Sequence, residues 1–301
     1  MIELKRLSNQ PILCPIPAHA WEKSAVFNSA AFLHDGLVHL FYRATDLPCH
    51  ESYGRYVSCL GHAISDDGLN FVREAKPALT GDGAQEGRGI EDPRIVRLED
   101  KFYMTYTGFG GRFDSDYRIC MASSTDLINW TRHGIVLDEP NKDAALFPER
   151  IGGRYVLLHR RYPDIWLCYS QDLRAWTDHK IIMRPRPDTW EAGRIGIAGP
   201  PVRTPQGWLL LYHAADADNV YRLGAALLAL HDPSRVIHRQ HQPILEPQLD
   251  WEKHGWVPNV VFSNGHVIKD GRLLVYYGGA DTCLGVAQME WPPAGWGFEQ
   301  H

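Results

Sequence analysis

The chain has 301 residues, 44% of them hydrophobic and 22% charged, which is ample apolar material for a core and far too much for a disordered chain. Its 31 Lys and Arg against 36 Asp and Glu leave a net charge of −5, which argues against a nucleic-acid partner. No apolar run reaches the roughly 18 residues of a membrane helix, the first residues carry no signal-peptide core, and the six cysteines form no CxxC or zinc-finger spacing. A cytoplasmic protein with no metal, no cofactor and no membrane partner is expected.

Along the chain one unit recurs: a short apolar stretch, a turn, a longer apolar and aromatic stretch, then a polar signature. It first spans residues 30–43 around the turn His34-Asp35-Gly36, then 95–107 around Glu99-Asp100. The third copy spans 150–160 around Gly152-Gly153, the fourth 201–213 around Pro205-Gln206-Gly207, and the fifth 259–277 around Lys269-Asp270-Gly271. Each reads as a β-hairpin. Between copies lies a small-residue strand, a Ser-x-Asp turn and an aromatic residue, as in Ser65-Asp66-Asp67, Ser124-Thr125-Asp126 and Ser170-Gln171-Asp172. Four short strands repeated five times predict an all-β fold, a five-bladed β-propeller, as a single domain over residues 1–301. A β-sandwich with similar hairpins is the competing architecture. The glycine-rich stretch 81–89 lacks the Gly-Lys-Ser/Thr of a phosphate loop and precedes a strand, so it reads as a loop between blades.

In a propeller the start of each blade's first strand and the end of its second share one face. The first set gives Asn28, Glu91-Asp92-Pro93-Arg94, Phe147-Pro148-Glu149-Arg150, Gly199-Pro200 and Pro258-Asn259. The second gives Arg43, Thr107-Gly108, His159-Arg160, Tyr212-His213 and residues 278–281. Singly, each has a plain structural role: Asp92 before Pro93 shapes a turn, the arginines pair with rim carboxylates, the histidines are half-buried. Their convergence on one face points to a site. Fifteen histidines raise the question of zinc, but no HExxH or His-x-His pair is present. A carboxyl among apolar residues can donate a proton, and guanidinium forks fit phosphate oxygens. Trp21, Trp190, Trp251, Trp256 and Tyr221 are expected to offer stacking faces for sugar rings. Acid, oxyanion site and aromatic platforms together suggest phosphate attacking a glycosidic bond, whereas a hydrolase needs a second carboxylate.

At these residues the sequence resembles glycoside hydrolase family 130, the mannosyl phosphorylases and mannosidases. The resemblance rests on Gly89-Ile90-Glu91-Asp92-Pro93-Arg94, residues 142–150, Leu158-His159-Arg160, residues 207–213 and 221–226, Val257-Pro258-Asn259-Val260-Val261-Phe262 and Tyr276-Tyr277-Gly278-Gly279-Ala280-Asp281. It implies an inverting reaction at a terminal β-mannoside, with inorganic phosphate as co-substrate and α-mannose 1-phosphate as product. Asp92 matches the family's general acid, which acts through the mannose 3-hydroxyl. Arg160, Arg194, His213 and Tyr277 fall on its phosphate-binding positions. Asn28, Arg43, Asn259 and Asp281 fall on its sugar-holding positions, and Glu91, Arg94, Lys142, Asp143, His159 and Tyr221 are further substrate contacts. One departure is Arg194, where the family's phosphorylases usually carry lysine. It keeps hydrolysis open as the alternative, with Glu149, Asp143 or Glu191 as the water-activating base. A non-catalytic carbohydrate-binding propeller is the third reading. Linkage and acceptor depend on loops, among them residues 45–55. Family members are often homo-oligomers; with no long terminal helix to dock on a neighbour, a monomer or dimer is expected.

Overall fold

The computed structural model describes residues 1–47 and 55–293. Their strands form five antiparallel sheets that follow one another in chain order, a five-bladed β-propeller. Blade one runs Ala25–His34, Leu37–Thr45, Ser58–Ser65 and Val72–Arg73. Blade two runs Ile90–Leu98, Lys101–Phe109, Tyr117–Ser124 and Thr131–Leu137, and blade three Lys142–Leu146, Tyr155–Arg161, Asp164–Ser170 and Trp176–Met183. In blade four both Arg194–Ile197 and Val202–Arg203 pair with Trp208–Ala215, followed by Tyr221–Leu228 and Val236–Arg239. Blade five runs Val261–Lys269, Arg272–Gly279 and Cys283–Glu290, and takes its outer strand, Lys5–Arg6, from the other end of the chain.

The core lies between blades. Leu158 and Leu167 of blade three pack with Leu210 and Tyr212 of blade four, and Leu40 and Tyr42 of blade one with Leu274 and Tyr276 of blade five. Each buried cluster joins two neighbouring sheets, so no blade buries its own faces without the next. The Ser-x-Asp turns recur with the same bonds. Ser65 Oγ, Ser124 Oγ and Ser170 Oγ accept the backbone N–H of Gly68, Leu127 and Leu173, at 2.8, 2.9 and 2.9 Å. Asp67, Asp126 and Asp172 accept two further N–H groups each. Those bonds hold all three aspartates below the usual carboxylate range.

Four blades share a buried clamp. A tyrosine of the second strand donates to a carboxylate just before the first strand, which also holds an arginine from the outer strand. The sets are Tyr42–Glu22–Arg73, Tyr106–Glu86–Arg132, Tyr212–Glu191–Arg239 and Tyr277–Glu252–Arg6, with hydroxyl-to-carboxylate distances of 2.9, 2.6, 2.9 and 2.8 Å. Glycines opposite the rings, Gly61, Gly224 and Gly285, leave the space that a Cβ would fill. Trp21, Trp190 and Trp251 stack on Tyr42, Tyr212 and Tyr277, at ring separations of 6.2, 6.0 and 5.7 Å. Trp256 meets Phe27 edge-on. Trp21, Trp190 and Trp251, expected as sugar platforms, thus spend a ring face on the clamp tyrosines, and none of the four half-buried tryptophans is in the lining of the pocket described below. Among the described residues blade three has no such tyrosine clamp: His159 occupies the tyrosine position and meets Asn141 and His179, and the carboxylate before the first strand, Glu139, is half-exposed and pairs with Arg161 of the second strand.

The repeat phase differs from expectation in two blades. In blade three the Gly152-Gly153 turn exists, bridging Ile151 to Arg154, but the first strand is Lys142–Leu146 and ends before it. In blade four the first strand starts at Arg194. Pro148, Pro200 and Arg203 consequently line a groove with the C-terminal halves of the inner strands, at the far end of the channel. Glu149 sits there too, exposed and paired with Arg203 at 3.3 Å.

Candidate active site

Four inner strands bulge near their N-terminal ends, that of blade five between Ser263 and Gly265, and the other three bulges each place a residue in one pocket. In those three the register shifts between Phe27 and Ala30, between Glu91 and Arg94, and between Lys142 and Ala145. Inside these bulges Asn28, Asp92 and Asp143 take left-handed backbone with φ of 47°, 54° and 57°. Asn and Asp adopt that region more readily than other residues with a Cβ, and a bulge re-aims the side chain out of the ladder. All three line a pocket of about 550 Å³, with Arg43, Lys142, Arg160, Arg194, Tyr221, Asn259 and Asp281.

The pocket has two halves. In one, Asn28 Nδ2 donates to Asp92 Oδ1 at 2.9 Å and Arg43 Nη1 lies 3.4 Å from the same oxygen. Asp92 Oδ2 meets no protein donor among the described residues. Beneath it, Glu91 is held by Arg43 at 2.7 Å and Lys142 at 3.2 Å. Burial alone would push the Glu91 carboxyl up, but these two cations hold it below the usual range. Asp281 is the opposite case. Burial raises it to about 7, against the pull of Arg43 and with the repulsion of Asp92 and Glu91 added.

The other half is cationic. Arg160 Nη1 meets Asp143 Oδ2 at 2.8 Å, and Arg194 Nε donates to the Tyr221 hydroxyl at 2.7 Å. Asp143 also meets Arg94 at 3.3 Å and His213 at 3.2 Å. Burial works against its charge, yet Arg160 and His213 outweigh it and hold the carboxyl far below the usual range. Gly196 makes this possible: a Cβ there would collide with both His213 Nε2 and Asp143 Oδ2.

Five residues assigned from sequence lie outside the pocket lining: Glu91, held beneath Asp92 by Arg43 and Lys142, and four others. Arg94 is buried beneath the pocket, donating to the carbonyls of Asp92 and Ala198 and to the side chains of Asp143 and Asn264, so its fork is already occupied. His213 stands behind Asp143 with its ring against Phe262, 3.9 Å between centroids. Tyr277 is the clamp tyrosine of blade five and spends its hydroxyl on Glu252. His159 is buried inside blade three, where burial pushes it down to about 3. The sequence reading missed Asp218 and Asn219, which reach the pocket from the turn after Trp208–Ala215. The turn-forming run Asp216-Ala217-Asp218-Asn219, at the same blade end as His213, was the available signal. Of the loop 45–55, residues 48–54 lie outside the described residues.

Nitrogen and sulfur atoms of His159, Cys168 and His179 lie within 4.8 Å of one another, a possible metal-ligand set. The hydrogen bonds say otherwise. Asn141 Oδ1 accepts the Arg160 N–H at 3.1 Å, so its Nδ2 donates to His159 Nδ1 at 2.9 Å. His159 then carries its proton on Nε2, directed at His179 Nδ1 3.2 Å away. A metal would need a lone pair at that nitrogen.

Residues 5–292 match the family model described as β-1,4-mannooligosaccharide phosphorylase. The chain belongs to glycoside hydrolase family 130. It is 61% identical over 290 residues to a 1,2-β-oligomannan phosphorylase of Thermoanaerobacter sp. (strain X514), covering 96% of this chain and 98% of the relative. It is 58% identical to a β-1,2-mannobiose phosphorylase of the same organism, with the same coverage. Among solved structures, the Listeria innocua β-1,2-mannobiose phosphorylase in complex with β-1,2-mannobiose superposes with a TM-score of 0.87 at 29% identity, covering 95% of this chain and 96% of that one.

Proposed function

We propose that this family 130 chain is an inverting phosphorylase of β-1,2-linked manno-oligosaccharides. Asp92 acts as the general acid, lining the pocket with its Oδ1 steadied by Asn28. In this reading the proton passes through the mannose 3-hydroxyl to the glycosidic oxygen. Phosphate, held by Arg160 and Arg194, attacks the anomeric carbon from the opposite face and leaves as α-mannose 1-phosphate. Asn28, Arg43, Asn259 and Asp281 hold the sugar. The names of the relatives at 61% and 58% identity support the β-1,2 linkage. The reading includes a cytoplasmic location, and no resident metal or cofactor.

One observation carries the choice of phosphorolysis: the division of the pocket into an acid half and a cationic half. Hydrolysis requires a carboxylate free to activate water. Glu149 lies at the far end of the channel, and Glu191 is locked in the blade-four clamp by Tyr212 and Arg239. Asp143 lines the pocket but is tied to Arg160, His213 and Arg94, which makes it a weak base. The test is incubation with β-1,2-mannobiose, and with β-1,4-mannobiose as the linkage control, with and without phosphate. α-Mannose 1-phosphate formed only with phosphate, and only from the first sugar, is the expected result. Release of free mannose at a rate indifferent to phosphate overturns the reading in favour of hydrolysis.

A further inference from the structure

The ring of blades is closed by the N-terminal segment. Lys5 and Arg6 pair with Gln288 and Ala287, the Leu7 N–H donates to Val286, and the Ile12 N–H donates to Leu284 at 2.7 Å. The last rung is Leu13 with Leu284. Each donates its N–H to the other's carbonyl, at 3.4 and 2.9 Å, which makes them a hydrogen-bonded antiparallel pair. The next residues along, Cys14 and Cys283, therefore form the adjacent pair without hydrogen bonds, where Cα atoms of opposed residues stand about 4.5 Å apart. That spacing falls within the range a disulfide spans. Their sulfurs lie 2.8 Å apart.

We propose that Cys14 and Cys283 are a redox-modified site, forming a cross-strand disulfide that closes the propeller ring covalently. Both side chains are half-buried and reachable, whereas Cys59, Cys120 and Cys168 are buried. Arg73 donates to the Cys14 carbonyl at 2.5 Å, placing a guanidinium beside the pair. The bond to Cys283, with the Arg73 charge added, lowers Cys14 despite its burial, which favours it as the attacking thiolate. Burial pushes Cys59 up to about 12 and Cys120 up to about 12, so these two stay protonated.

The co-reactant is a low-molecular-weight disulfide. The Cys14 thiolate attacks one of its sulfurs, and the S–S bond breaks to leave a mixed disulfide and one small thiolate. Cys283 gives its proton to that thiolate and attacks Cys14 Sγ, expelling the second small thiolate. Two protein thiols are oxidised, one small disulfide is reduced to two small thiols, and an added dithiol reverses the exchange. The loop so closed runs from 14 to 283 and contains blades one to four and the first two strands of blade five, a length at which restriction of the unfolded chain is large.

The experiment treats the reduced full-length protein with glutathione disulfide. Unreduced digestion is expected to yield a peptide pair joining Cys14 to Cys283, with an intact mass lower by two hydrogens. The melting temperature should rise by about 5 °C or more and fall back with dithiothreitol. Cys14→Ser and Cys283→Ser should each abolish both the linked peptide and the rise; two single variants guard against one that folds poorly. A glutathione adduct that persists on either cysteine, a linkage to another cysteine, or a linked protein that melts no higher overturns the proposal.

Discussion

Replacing Gly196 by alanine tests the cationic half of the pocket without replacing a charged group. The backbone at Gly196 is not left-handed, so alanine fits it and by itself would stabilise the chain by about 0.4–1 kcal/mol through the unfolded state. The new Cβ, however, falls within 2.5 Å of Asp143 Oδ2 and closer still to His213 Nε2, where ordinary contact begins near 3.5 Å. Both atoms end side chains, so these give way rather than the strand. His213 is pinned against Phe262, which leaves Asp143 to rotate and loosen its bond to Arg160. A hydrogen bond to a charged group is worth about 1.5–3 kcal/mol, and losing that much at the phosphate site raises the phosphate KM roughly 10- to 150-fold. The assay is initial-rate phosphorolysis of β-1,2-mannobiose across phosphate concentrations, with a thermal melt as the folding control. The mannoside KM should move by less than about 3-fold. A folded variant with the parent phosphate KM would refute the reasoning.

Asp92→Asn should lower turnover by about 10²- to 10⁴-fold while the melting transition stays in place; near-normal rates would remove Asp92 from the chemistry. Tyr212→Phe deletes one bond to buried Glu191, which keeps Arg239, so the urea midpoint should report a loss of about 1–2 kcal/mol with kcat/KM unchanged; a collapse of kcat would instead place Glu191 in catalysis. Stability should fall on acidification from pH 6.5 toward 4. Burial holds His62, His159 and His266 down at about 4, about 3 and about 4, so the unfolded chain takes up protons first. Asp281, raised to about 7, binds its proton more tightly when folded and so opposes that fall between about pH 4 and 7. Asp281→Asn should therefore steepen the decline in urea midpoint between pH 7 and 4.5, and a flatter profile would contradict this assignment.

The hairpins of blades one and five were legible because their turns state their geometry. Asp35-Gly36 and Asp270-Gly271 both take positive φ, as a two-residue hairpin turn requires. Blade three misled because its first strand has only five residues and leaves the sheet well before the Gly-Gly turn. That shift carried Glu149 and Arg150 to the wrong end of the channel. Asp92, Arg160 and Asp281 were found because the start of one strand and the end of the next share a blade end in any phase close to correct. The role of Tyr277 was not legible in its own neighbourhood, since its partners Glu252 and Arg6 are 25 and 271 residues away. Aligning the blades would have shown it: Trp21-Glu22, Trp190-Glu191 and Trp251-Glu252 each precede a second-strand tyrosine at the same blade position.

Blade three, which among the described residues lacks the tyrosine–carboxylate–arginine clamp, also carries Lys142, Asp143 and Arg160. At the clamp position the neutral Asn141–His159–His179 chain stands in for the tyrosine and its carboxylate, and the buried ion pairs of the inner strand, Asp143 with Arg160 and Arg94, lie at the pocket itself. Amide exchange in the native state would make this visible as a ring with uneven protection, the hydrogens of Tyr155–Arg161 exchanging ahead of the matching strands in the other blades. The segment that grips the anion would then be the one that opens at the lowest free energy, and occupancy by phosphate, binding the closed form alone, would slow its exchange most.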